Sequence, residues 1–234
     1  MPSARLPELR AALPRIAVLA GIWAGLVGLL IAVGEIVVHS NALTHFDRHA
    51  TSVLVNSRTA SLDSAMKAVT WLGSWVAVTI TAVIVAMLVL TRHLPLLAAV
   101  VAVLAWAGES GGVRIGKEVV ARDRPPAAIR LVSAQGWSFP SGHAGAATLA
   151  FTVLAMCVMA VTHRWALRVL AWVIAGLAIA ATAFSRVALG VHWTTDVIAS
   201  VVFTGVWLTA IAILLGGRLR PVIQGQVRRA ARCP

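Results

Sequence analysis

The sequence predicts an all-α, polytopic membrane protein with six transmembrane helices and an interfacial helical segment between the first and the second. Of its 234 residues, 59% are hydrophobic and only 12% are charged, and the mean hydropathy is +0.88. A soluble domain of this size could not bury so much apolar surface. None of the long apolar runs alternates with polar residues at a period of two, so helices rather than a β-barrel are expected to satisfy the backbone.

Six apolar runs are long enough to cross about 30 Å of hydrocarbon. They lie at residues 14–38, 68–91, 94–113, 143–162, 165–185 and 194–216. The first run follows a charged segment, but it is too long for the core of a signal peptide. We therefore expect one membrane domain over residues 1–234, with basic tails at 1–13 and 217–234.

The connection between the first two runs, residues 39–66, has a helical pattern of its own. Phe46, Ala50, Val53 and Leu54 recur at helical spacing, and polar residues mostly fill the opposite face. We expect a short helix that lies in the membrane interface and covers a mouth in the bundle.

The distribution of Lys and Arg predicts the orientation. The net charge of +12 comes in large part from the two tails and from the second and fourth connections, which lie on one side of a six-span chain. The positive-inside rule makes that side cytoplasmic, so both termini are expected in the cytoplasm of a cell-membrane protein. Charges placed in this way suit anionic lipid headgroups better than nucleic acid. The third connection, residues 114–142, is also basic but lies on the outer side, and this exception calls for a function.

The first of three polar clusters, KEVVARDRP, contains Lys117, Arg124 and Pro125. If the stretch is helical, a spacing of seven puts Lys117 and Arg124 on one face, about 10 Å apart, with Pro125 ending the run. Two long cations that reach toward one point are suited to holding a dianion.

The second cluster is PSGH, residues 140–143, at the start of the fourth run. Ser141 can cap a helix, and Gly142 leaves room for a close approach of an anion to the free amides. His143 adds a group that can donate a proton near neutral pH. Taken alone, a Pro-Ser-Gly run before a helix is usually only a cap.

The third cluster, SRVALGVHWTTD, contains Ser185, Arg186, His192 and Asp196. His192 and Asp196 are four residues apart, so on a helix they share a face and the carboxylate can accept the Nδ1 proton. The Nε2 atom would then be neutral, aimed and nucleophilic. A packing hydrogen bond or a proton relay is the alternative for such a pair inside a membrane.

Taken together, the three clusters resemble the tripartite signature of the type 2 phosphatidic acid phosphatase superfamily. The matching positions are Lys117, Arg124 and Pro125, then Pro140 to His143, then Ser185, Arg186, His192 and Asp196. Every motif position is filled, and the resemblance covers residues 117–196.

The resemblance implies a role for each residue. His192 would attack phosphorus to give a phosphohistidine, Asp196 would orient it, and His143 would protonate the leaving oxygen. The phosphoryl oxygens would be held by Lys117, Arg124, Ser141, Gly142 and Arg186. Three fixed cations can take the place of a metal in phosphoryl transfer, so no cofactor and no metal is predicted.

The expected activity is that of a metal-independent lipid phosphate phosphatase at the outer face, most simply for a polyprenyl (undecaprenyl-type) diphosphate. Phosphatidic acid and phosphatidylglycerophosphate remain open as substrates, and the sequence does not fix the oligomeric state. A transporter or lipid-binding protein that holds the headgroup without cleaving it is the alternative from another class, but it has no need of a nucleophile facing an acid.

Two further features suggest additional roles. His39, His45, Asp47 and His49 suggest a metal site, but their position in an interfacial segment disfavours it. Glu109 is expected to be buried at a span end, where it could support an active-site cation.

Overall fold

The computed structural model describes the backbone of residues 5–230 and the side chains of residues 14–215, so the side chains of the two basic tails lie outside it. Within this part of the chain all regular structure is helical, which confirms the predicted fold class. The α-helices are α1 (Arg5–His39), α2 (Asn41–Asn56), α3 (Ala60–Val69), α4 (Trp75–Leu90), α5 (Leu96–Val120), α6 (Gly142–Val161), α7 (Trp165–Ala188) and α8 (Thr194–Ala230).

Five of these helices, α1, α5, α6, α7 and α8, are long and apolar enough to cross a membrane. The second predicted span, residues 68–91, is not a single helix. Residues Ala60–Gly73 and Trp75–Leu90 meet at an angle of 42° and together make the sixth candidate span. The bend occurs at Ser74, whose hydroxyl oxygen accepts a hydrogen bond from the Val76 amide and caps the new helix.

The third span also differs from its prediction, because α5 continues seven residues beyond the expected end at residue 113. It ends where Ala121 adopts a left-handed conformation with φ of 46°. Arg124, which precedes Pro125, is therefore in a loop, as the steric effect of proline on the preceding residue favours. The prediction that Lys117 and Arg124 share a helical face is wrong.

The middle of the bundle is α6, which packs against α4, α5, α7 and α8. The loop before α6 is fixed by Phe139, which has no exposed surface and inserts among Val27, Leu30, Val120 and Phe203. Burying an aromatic side chain of this size is among the larger stabilising contributions a single residue makes. Phe139 thus positions the residues on either side of it, which belong to the second polar cluster and its approach.

The interfacial segment between the first two spans is helical, as predicted. Asp47 and Thr51 of α2 are buried against the bundle, whereas Phe46 and Val53 are 47% and 51% exposed. Phe46 and Val53 therefore point away from the bundle, as suits a helix lying against lipid. Asp47 and Thr51 are turned inward together with Leu54, which packs against a core cluster that includes Ala144 and Val197, whereas Arg48 and His49 are exposed.

Candidate active site

The three polar clusters of the sequence meet at one end of the bundle. Residues 121–141 leave the end of α5 and lead into α6, and α7 turns into α8 on the same side. The Ser141 amide donates to the Asp196 carbonyl, which ties the start of α6 directly to the first turn of α8. Residues that are 55 positions apart in sequence are thereby neighbours.

Lys117 and Arg124 converge through the loop rather than through a helical face. The Nζ atom of Lys117 donates to the Trp137 carbonyl at 2.8 Å, and Nη2 of Arg124 donates to the same oxygen at 3.1 Å. Arg124 also donates to the carbonyls of Gln135 and Gly136. Two cations at one carbonyl create a strongly positive region at the mouth of the site.

Arg124 also reaches the candidate nucleophile. Its Nη1 atom donates to the Val191 carbonyl at 2.7 Å and lies 3.1 Å from Nε2 of His192. Burial lowers the pKa of Arg124, and the negative charge of Asp196 opposes that effect. A guanidinium remains charged under all ordinary conditions, so the Nε2 atom in this contact must be the acceptor.

His192 is 2% exposed, and burial lowers its pKa to about 3, although the nearby charge of Asp196 acts in the opposite direction. The ring is therefore neutral near pH 7. Because Nε2 accepts from Arg124, the proton is on Nδ1, the side that faces Asp196. This is the tautomer that a nucleophilic Nε2 requires.

The contact between His192 and Asp196 is made by a turn and not by a helix, which corrects the expected geometry. Since α8 begins at Thr194, His192 lies before it, and Nδ1 is 3.4 Å from Oδ2 of Asp196 without forming a well-directed hydrogen bond. The same Oδ2 accepts from the Trp193 amide at 2.9 Å and from the Ser138 hydroxyl. Asp196 is thus held rigidly beside the ring.

Ser141 is the N-cap of α6, as predicted, and its hydroxyl oxygen accepts from the Ala144 amide at 3.4 Å. Ser141 is fully buried, and its carbonyl accepts a hydrogen bond from Ser200 at 2.7 Å. Among the described residues the amides of Gly142 and His143 have no acceptor. Free amides at a helix start attract anions, so it is the backbone, more than the Ser141 side chain, that is available to a phosphate.

His143 follows on the first turn of α6 and is half-buried. The positive charges of Arg186, Arg124 and Lys117 all lie close enough to act on it. His143 and His192 are therefore surrounded by the same cations, as two groups acting on one phosphoryl group need to be.

Arg186 approaches the site from the end of α7. It is 5% exposed, and its Nη1 donates to the Thr70 hydroxyl at 2.7 Å, while its buried Nε has no partner among the described residues. Thr70 belongs to the 3₁₀ turn Thr70–Gly73 at the broken second span. A Cβ at Gly73 would collide with the His143 carbonyl, so this turn lies against both clusters.

Three residues that the sequence reasoning missed are Arg122, Ser138 and Thr70. Arg122 is buried between Asp47 and Asp196 and is hydrogen-bonded to both. Its position two residues before Arg124, on the basic third connection, is the one signal that could have drawn attention to it. Thr70 and Ser138 carry no such signal, because hydroxyl side chains are common at span ends.

The structure bears on the possible metal site around Asp47 and on the possible role of Glu109. In the described part of the chain no group of His, Cys, Asp and Glu is arranged to hold a metal, and Asp47 is instead paired with Arg122. Glu109 is buried, as expected, but it contacts Ser110 and lies beside Gly145 and Ser200 rather than beside a cation of the site.

Residues 94–220 match the family model described as the PAP2 superfamily, the abbreviation for type 2 phosphatidic acid phosphatase. This range is more than half of the chain and contains all eight candidate site residues. Among proteins with a curated description, none matches the sequence.

Two solved structures are similar to this one. The crystal structure of a transmembrane PAP2 type phosphatidylglycerolphosphate phosphatase from Bacillus subtilis is 26% identical, with 82% of this chain and 94% of that chain covered and a TM-score of 0.69. LpxE from Aquifex aeolicus is 20% identical, with 73% and 95% covered and a TM-score of 0.54, which is a likeness of fold.

Proposed function

We infer that this chain, which belongs to the PAP2 superfamily and is a membrane lipid phosphatase, removes the terminal phosphate of a lipid phosphate or diphosphate through a phosphohistidine at His192. One observation carries the proposal. The Nη1 atom of Arg124 is 3.1 Å from Nε2 of His192. A phosphoryl oxygen bound to Arg124 would therefore bring phosphorus next to the neutral Nε2 lone pair of His192.

In the first step Nε2 of His192 attacks phosphorus while the bond from phosphorus to the lipid oxygen breaks. The phosphoryl group accepts the Arg124 N–H that otherwise donates to Nε2 of His192. His143 in its protonated form transfers its proton to the leaving oxygen. The His192 ring becomes cationic, and Asp196 beside Nδ1 stabilises that charge.

In the second step a water molecule attacks the phosphohistidine and gives its proton to the now neutral His143. The bond between Nε2 and phosphorus breaks, inorganic phosphate leaves, and both histidines return to their starting forms. The same residue thus serves as acid and then as base.

The charge on the transferring group is balanced by Lys117, Arg124 and Arg186, with the Gly142 amide as a further donor. Ser141 supports this arrangement by capping the helix that carries Gly142 and His143. Phosphoryl transfer depends mainly on positioning and charge neutralisation. Because three cations supply that neutralisation, we expect turnover in the presence of EDTA.

For the substrate we propose a polyprenyl diphosphate. The distribution of Lys and Arg supports an outer-face site, and a carrier-lipid diphosphate is left on that face after glycan polymerisation. A second candidate is phosphatidylglycerophosphate, which the likeness to the Bacillus subtilis phosphatidylglycerolphosphate phosphatase favours.

The test incubates detergent-purified protein with EDTA and a panel containing a polyprenyl diphosphate, phosphatidylglycerophosphate and phosphatidic acid, and measures released phosphate. We expect the diphosphate to have the highest kcat/KM, His192→Ala to abolish turnover, and the exposed-residue control His163→Ala to match the wild type. Binding of these lipids without release of phosphate would show a transporter or binding protein instead. Preference for phosphatidylglycerophosphate would select the second substrate.

The sidedness is tested by cysteine labelling in intact cells. Gln135 and His93 are both exposed, and they lie in the third and second connections of the six-span chain. A membrane-impermeant maleimide should label Gln135→Cys directly and His93→Cys only after permeabilisation. The reverse pattern would put the site on the cytoplasmic side.

A further inference from the structure

A buried cluster of charges lies behind the candidate nucleophile. The guanidinium of Arg122 is placed between two carboxylates, with Nη1 2.6 Å from Oδ1 of Asp196 and Nη2 2.7 Å from Oδ2 of Asp47. The exposed fractions of the three side chains are 8% for Arg122, 1% for Asp47 and 0% for Asp196. Asp196 belongs to the candidate site, whereas Asp47 comes from the interfacial helix α2.

Thr195 closes this cluster into a ring. Its hydroxyl accepts from Nη1 of Arg122 at 2.8 Å and donates to Oδ2 of Asp47 at 2.6 Å, and its amide donates to Oδ1 of Asp47 at 3.0 Å. The Arg122 guanidinium also lies 5.6 Å from the centre of the Trp193 ring. A buried polar network in which each member has partners is rigid.

The charges of the cluster suit the proposed chemistry. Two carboxylates against one guanidinium leave a net charge of −1, located beside the Nδ1 edge of His192. This is the ring on which positive charge develops when Nε2 attacks phosphorus. If Asp47 were absent, Arg122 would cancel the charge of Asp196, and the cluster would be neutral.

A buried ion pair is weak evidence of a stabilising role, since desolvation offsets much of the attraction between the charges. The need to hold α2 against the bundle therefore does not explain why Arg122 is paired with two buried carboxylates. That task is already served by Arg58, two residues after α2, which donates to the Ala188 and Ile129 carbonyls.

We propose that Arg122 and Asp47 are positioning residues for the proposed reaction: Arg122 fixes Asp196 toward His192, and Asp47 preserves the net negative charge that stabilises the cationic ring. The proposal rests on the proposed phosphohistidine function. Arg122 lies within the range matched by the family model, but Asp47 lies outside residues 94–220. The interfacial helix of this chain thus becomes part of its catalytic apparatus.

The test measures kcat, KM, and inhibition by inorganic phosphate and by vanadate for Asp47→Asn, Arg122→Gln and the double variant. Inhibition by phosphate measures binding by the three cations Lys117, Arg124 and Arg186. Vanadate imitates the pentacoordinate transition state, so its inhibition also depends on Nε2 of His192. Asp63→Asn on α3 and Arg48→Gln on the exposed side of α2 remove the same charges without touching the cluster and serve as controls. Melting temperatures in detergent show whether each variant folds.

We expect each single variant to lose about 10- to 100-fold in kcat, by analogy with the residues that orient metal-binding histidines from behind. Vanadate inhibition should weaken in proportion, while KM and phosphate inhibition stay within about threefold. The double variant restores a net charge of −1, so its loss should be smaller than the product of the two single losses. The two controls should behave as the wild type.

Unchanged kcat in both single variants would overturn the proposal, and so would losses in kcat that multiply in the double variant. It would also be overturned if phosphate and vanadate inhibition weakened equally and the melting temperature fell, because that result indicates a purely structural role. Failure of the proposed function is recognised separately, because the wild type would then release no phosphate or His192→Ala would remain active.

Discussion

The two histidines of the site are held in opposite ways. His192 is 2% exposed and is fixed between Arg124 on Nε2 and Asp196 beside Nδ1. His143 is half-buried on the first turn of α6, and within the described residues its side chain has no hydrogen-bond partner. A nucleophile must be aimed before the substrate arrives, whereas an acid must adapt to the leaving oxygen of a bound lipid. The difference in restraint therefore corresponds to the difference in proposed role.

The largest effect expected from this comparison is that of Asp196→Asn. The amide keeps the size of the side chain but removes the charge beside Nδ1 and favours the wrong tautomer of His192. By analogy with the loss of the aspartate from a serine protease triad, kcat should fall by about 10⁴-fold. Steady-state rates on the best lipid substrate measure it, and a loss below tenfold would show that His192 needs no such partner.

An intermediate effect is expected for His143→Ala, and it should depend on the leaving group. Release of an alkoxide from phosphatidic acid needs a proton, so kcat should fall by about 10² to 10⁴-fold. When the substrate is a diphosphate, the leaving group is a lipid phosphate, which depends less on protonation. The decrease in kcat on that substrate should therefore be much smaller. Equal losses on both substrates, measured side by side, would contradict the assignment of His143 as the acid.

The smallest effect concerns stability at low pH. Burial lowers the pKa of His192 to about 3 from its ordinary 6.5, so the unfolded chain takes up a proton that the folded chain refuses. The stability associated with the neutral ring is fully present above pH 6.5 and is lost as the pH falls toward 3. When the pH falls from 7 to 5, the melting temperature of the wild type should therefore decrease. The decrease should be several degrees smaller in His192→Asn, which has no imidazole to protonate.

Exposed His163 provides the control for this measurement, because His163→Asn should follow the wild type. If His192→Asn loses as much stability as the wild type over that interval, the ring does not stay neutral in the folded protein.

Much of the fold follows from the sequence, because the length of an apolar run and the position of a capping residue are local properties. The fold class, the helical interfacial segment and the Ser141 cap are all confirmed in this way. The break at Ser74 and the end of α5 at Val120 were missed, since both fall inside or beyond apolar runs whose hydropathy does not change there.

The sequence predicted the site residues that belong to recognisable motifs. It did not predict the residues that position them. Lys117 and Arg124 converge as expected, but through the Trp137 carbonyl of a loop whose path depends on the burial of Phe139. The pairing of Asp47 with Arg122 joins residues seventy-five positions apart. No spacing rule connects them, and charge alone does not show that both are buried.

The central claim is that His192 attacks phosphorus and forms a covalent intermediate. The stereochemistry of hydrolysis tests it most directly, using a lipid thiophosphate made chiral with oxygen isotopes and hydrolysed in isotopically labelled water. Two successive in-line displacements, one by His192 and one by water, predict net retention of configuration at phosphorus. Net inversion would mean a single attack by water and would contradict the phosphohistidine mechanism.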